Sequence, residues 1–127
     1  MAASAEERIR QLTKGMLRRT LYAVLSKGNT TPAQLGAVLP DHLEYMIGLE
    51  KAGALFASGP LTAPAGAPAG DGLTILRAAN EEEARKIALA DPFVINKLRS
   101  FEVREWTVME GSIGVKVNLS DQTLEFA

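Results

Sequence analysis

His42 is the only histidine in the chain, and it interrupts an apolar pattern at helical spacing. Set at about 100° per residue, Leu35, Leu39, His42, Met46, Leu49 and Gly53 share one stripe, with Glu44 and Lys51 opposite. An imidazole there is partly desolvated and needs a hydrogen-bond partner. The ordinary imidazole pKa near ~6.5 suits proton transfer at neutral pH. A core or interface histidine bonded to a backbone carbonyl would give the same pattern. Asp91 is the second candidate. It falls on the inward stripe of Ala84, Ile87 and Ala88, where a carboxylate is costly unless paired. It also stands at the negative end of its helix, which disfavours the ionised form. Taken alone, it reads most simply as a cap of the turn at Pro92. Together the two residues argue more. A carboxylate accepting from one imidazole nitrogen fixes the tautomer and leaves the other nitrogen as a general base.

The remaining chemistry-bearing residues narrow the choice by what they lack. Ser58-Gly59-Pro60 ends a strand near the expected site, and Gly59 would permit close approach of a ligand, although a turn needs the same residues. Trp106 and Tyr22 could line a pocket, but strand aromatics usually belong to a core. Arg104 is expected to be an exposed strand residue. With one histidine and no cysteine, disulfides, thiolate metal sites and cysteine nucleophiles are excluded, and a transition-metal site is not expected. The glycines between Gly66 and Gly72 match neither a phosphate loop nor a dinucleotide fingerprint, so no cofactor is expected. Fourteen basic and fifteen acidic residues leave a net charge of -1 and no clustered basic surface, which argues against nucleic acid. Residues 1–8 lack the apolar core of a signal peptide, and no apolar run approaches a membrane span, so cytoplasm is the expected location.

The elements that must position His42 and Asp91 follow from periodicity and punctuation. Ser4, with Glu7 three residues on, predicts a short capped helix over 4–14. Leu17–Leu25 predicts a strand whose second half, Leu21–Leu25, is buried on both faces, broken by Ser26-Lys27-Gly28-Asn29. A helix is expected from Pro32 to Lys51, kinked or restarted at Pro40 and closed by Gly53. Strands are expected at 54–61 and 73–78, separated by an Ala/Pro/Gly-rich loop over 62–72. Asn80 caps the next helix, with Glu83 at the reciprocal position; Pro92 ends it, and one or two turns follow before Arg99. A strand over 101–109 and a hairpin of 115–119 with 122–126 complete the chain.

This order, βαββαβ, predicts an α+β domain of ferredoxin-like type with an antiparallel sheet. The expected organisation is an N-terminal helical extension (1–16), the α+β domain (17–110) and a C-terminal hairpin extension (111–127). Both helices of such a fold cover one face of the sheet. The first and third strands are too apolar to leave the other face wet, so a homodimer packed sheet against sheet is expected.

Several segments resemble the YCII-related domain family. They are Asp41-His42-Leu43-Glu44-Tyr45-Met46, Gly53-Ala54-Leu55-Phe56-Ala57-Ser58-Gly59-Pro60-Leu61, Glu81-Glu82-Glu83-Ala84-Arg85, Ala90-Asp91-Pro92-Phe93 and Val103-Arg104-Glu105-Trp106. The resemblance spans roughly residues 17–110 and implies a dimeric α+β barrel related to muconolactone isomerases. It matches the family's characteristic histidine and aspartate to His42 and Asp91. It also implies an enzyme of small-molecule catabolism, with aromatic or chloroaromatic compounds as the candidate substrates. The expectation is a cofactor-free isomerase or lyase, with His42 and Asp91 catalytic and Ser58, Gly59, Pro60, Phe93 and Trp106 against the ligand. The alternative is a non-catalytic small-molecule-binding or accessory dimer of the same fold.

Overall fold

The computed structural model describes residues 2–127, which fall into two units, 20–107 and 2–19 with 108–127. In the second of these, α1 (Ala5–Thr13) carries the expected capping box: Ser4 Oγ accepts from the Glu7 amide, and Glu7 accepts from the Ser4 amide. Strands β5 (Val115–Asn118) and β6 (Thr123–Phe126) form the C-terminal hairpin, paired from Val115↔Phe126 to Asn118↔Thr123. Its turn has no glycine. The Asp121 carboxylate closes it instead, accepting from the Thr123 amide and hydroxyl.

The larger unit runs β1 (Arg19–Gly28), α2 (Pro32–Lys51), β2 (Leu55–Pro60), β3 (Gly72–Leu76), α3 (Glu81–Leu89), α4 (Pro92–Ile95) and β4 (Arg99–Val108). The antiparallel sheet has the order β2-β3-β1-β4, so each βαβ crossover straddles an inserted strand, the ferredoxin-like arrangement. Tyr22, Val24, Leu76 and Val103 pack with Ala84 and Ala88 of α3 into a core between sheet and helices. Leu21 and Ile75 alternate to the opposite face of the sheet and are buried as well.

Two local expectations fail for identifiable reasons. The first strand does not break at Ser26. It continues to Gly28, pairing Ser26 with Gly72, and Gly28 permits a close crossing of the loop. A Cβ on Gly28 would lie 1.8 Å from the Ala69 carbonyl oxygen, so this glycine admits backbone contact rather than ending the strand. The helix is also unbroken through Pro40. Proline removes only the bond to the Gly36 carbonyl, and both residues are exposed, so water can meet the freed oxygen. The loop between β2 and β3 is tied down at its end. Thr30 bridges to Ala69, the Gly28 amide donates to Asp71 Oδ1 at 2.8 Å, and the Leu61 amide donates to the Asp71 carbonyl.

Candidate active site

The inward stripe of α2 places His42 over the sheet, and the end of α3 delivers Asp91 to meet it. Tyr45, one turn along α2, donates its hydroxyl to the Ile87 carbonyl at 2.7 Å and holds the two helices together. Burial, and then the negative charge of Asp91, push the Tyr45 phenol pKa up, so it stays a donor.

Asp91 lies between α3 and α4 and is almost wholly buried, with every lone pair that matters engaged. Oδ1 accepts from His42 Nδ1 at 2.7 Å and from the Phe93 amide at 2.9 Å, while Oδ2 accepts from Arg99 Nη2 at 2.7 Å. Burial raises the carboxyl pKa. The hydrogen bonds from His42 and Phe93 and the charge of Arg99 outweigh it and hold Asp91 below the usual carboxylate range. The expected penalty at the end of α3 is therefore reversed, because Asp91 is also the N-cap of α4 and the partner of a buried arginine.

The ionised carboxylate decides the imidazole's tautomer. A carboxylate has only acceptors, so Nδ1 carries the proton and Nε2 keeps a lone pair. The ring is held in its plane by stacking on Phe93, with centroids 4.1 Å apart and planes 15° from parallel. The Arg99 guanidinium lies 5.1 Å from the same phenyl centroid. Nε2 makes no hydrogen bond among the described residues, and His42 lines a cavity of about 320 Å³. Apolar side chains of α2 (Leu35, Leu39, Leu43, Met46) and Phe93 form much of its wall; Ser58, Thr74, Asp71 and Arg99 supply the polar positions. The Ser58 and Thr74 hydroxyls bond to each other across β2 and β3 at 2.9 Å.

The structure thus brings His42, Ser58, Gly59, Pro60 and Phe93 around one cavity, with Asp91 behind the imidazole. Trp106 is not among the cavity-lining residues. It is 41% exposed, and strand alternation from Val103 points it to the face away from the helices. Arg99 went unrecognised in the sequence because the fourth strand was expected to start at Phe101. Counting back by two from the apolar pair Val103 and Phe101 puts Arg99 inward, and that signal was available. Among the described residues, no group of three or more His, Cys, Asp or Glu side chains could hold a metal ion. Among the described residues, no helix is long and apolar enough to cross a membrane.

The sheet order and the helix-covered face define a ferredoxin-like α+β domain. The YCII-related domain model matches residues 20–107, and the chain belongs to that family. Among solved structures, it is similar to 5-chloro-2-hydroxyhydroquinone dehydrochlorinase (TftG) from Burkholderia phenoliruptrix AC1100, in complex with 2,5-dihydroxybenzoquinone. The TM-score is 0.53 at 23% sequence identity, over 68% of this chain and 92% of that one, a likeness of fold. No curated protein sequence matches the chain.

Proposed function

We propose that the chain is an enzyme of small-molecule catabolism in which His42 Nε2 takes and returns a proton, in an isomerisation or an elimination. The observation that carries this reading is the Asp91 carboxylate on Nδ1, which leaves Nε2 unpaired on a ring that lines a largely apolar cavity. Asp91 sets the tautomer and stabilises the imidazolium that forms. The cavity is of a size for a single ring, which agrees with the dihydroxybenzoquinone bound by the dehydrochlorinase of similar fold. Chlorinated hydroxyquinols and related lactones are therefore the first substrates to assay. Chloride release or isomerisation in the wild type, lowered about 100-fold or more in His42→Ala with the fold intact, is the expected result. Unchanged turnover in His42→Ala sinks the proposal. The same reading places a second copy of the chain against the sheet face away from the helices, to which Leu25 and Trp106 alternate.

A further inference from the structure

The guanidinium of Arg99 is buried and incompletely used. Nη2 is taken by Asp91, and Nε is fully buried without a partner. Nη1 makes no hydrogen bond among the described residues, and it is not among the fully buried orphan atoms. Arg99 itself lines the same cavity as His42. Room for Nη1 is made by Gly72 of β3, where an added Cβ would stand 2.9 Å from that nitrogen. One carboxylate therefore grips the imidazole with one oxygen and the guanidinium with the other, and both groups rest against the Phe93 ring.

We propose that Arg99 Nη1 is the oxyanion subsite of this cavity, so that the substrate is a carbonyl compound with an ionisable hydrogen beside its C=O. This rests on the reading of His42 as the base. As the substrate C–H bond breaks, its proton goes to His42 Nε2 and the electron pair forms a C=C bond. The carbonyl π pair moves onto oxygen, and Nη1 meets the charge that develops there. Charge balance favours such a neutral substrate over a preformed polyanion. Asp91 already offsets the charge of Arg99, and Asp71 adds a second carboxylate to the cavity wall. The site is built to stabilise a charge that arises together with the imidazolium.

The test uses the full chain and two ring probes at pH 8.5, 4-nitrophenolate as an oxyanion mimic and 4-nitroanisole as its uncharged ether. Calorimetric titration of the wild type is expected to show a preference of roughly tenfold for the phenolate, as a charge-assisted bond gives. Gly72→Ala, which crowds Nη1 and leaves every charge in place, should remove most of that preference. Arg99→Lys, which keeps the charge but loses the planar fork, should do the same. His42→Asn should keep it. No preference in the wild type, or a full preference in both Gly72→Ala and Arg99→Lys, overturns the proposal. Loss of preference in His42→Asn alone assigns the oxyanion to the imidazole and overturns it equally. The base role of His42 is read separately by turnover, so either idea can fail while the other stands.

Discussion

Replacing Asp91 by asparagine changes almost no volume and removes one charge, yet no orientation of the amide fits the site. With its oxygen in the place of Oδ1, the new NH2 faces Arg99 Nη2, donor against donor. With the amide flipped, the oxygen serves Arg99 and the NH2 faces both His42 Nδ1 and the Phe93 amide. Either way the Arg99 charge loses its counterion, and the Asp91 and Arg99 side chains are only 6% and 7% exposed. An uncompensated buried charge costs about 3–5 kcal/mol. At about 4 °C per kcal/mol, that is a fall in Tm of roughly 12–20 °C. The cost has a pH signature. A carboxylate with a depressed folded pKa contributes stability that is complete above its unfolded value near ~3.9 and is lost as pH falls through the folded one. The wild type should therefore exceed Asp91→Asn fully at pH 7, and the gap should narrow below about pH 4. Urea unfolding of both proteins across that range measures it. Pairing the substitution with Arg99→Met should recover about 1–3 kcal/mol relative to the sum of the single changes, because the orphaned charge goes too. A gap under about 1 kcal/mol at pH 7, or one indifferent to pH, would refute the account of a buried ion pair.

Two further outcomes follow from the same contacts. Nitrogen-15 NMR of the single imidazole should show the Nδ1–H tautomer in the neutral wild-type ring, and a substantial Nε2–H population in Asp91→Asn; a wild-type ring that carries its proton on Nε2 would contradict the hydrogen-bond assignment. Leu25→Arg, on the sheet face proposed to receive a second copy, should convert a dimer into a monomer in sedimentation velocity, and a wild-type monomer at micromolar concentration would remove that part of the proposal.

How much of this was legible in the sequence depends on how local the determining physics is. The Ser4 and Asn80 caps were readable because each uses a side chain and an amide three residues apart. The stripe of α2 was readable because one helix period puts Leu35, Leu39, His42 and Met46 on one side, and all four line the cavity. Gly28 misled because a glycine marks a break and a close crossing alike, and only the position of Ala69 tells them apart. Asp91 misled in its charge. Its place at the end of α3 predicted a disfavoured carboxylate, while the start of α4 and the arrival of Arg99 from β4 reverse the sign. Neither reversal is visible without the fold that brings Arg99 eight residues back onto it.

Sharing Asp91 between two bases changes what the carboxylate can do for His42. In a dyad whose carboxylate has no other partner, its full charge favours the imidazolium and so holds the proton after transfer. Here the Arg99 guanidinium also binds the carboxylate, 2.7 Å from the second oxygen, and fixes its position behind the ring. The gain is in geometry. Oδ1 and Phe93 hold the imidazole in plane and in one tautomer. A reversible proton transfer, in which the same nitrogen must give back what it takes, is better served by an oriented base than by a strongly charged pair. That makes the Arg99–Asp91 bond part of the acid–base device as well as of the packing.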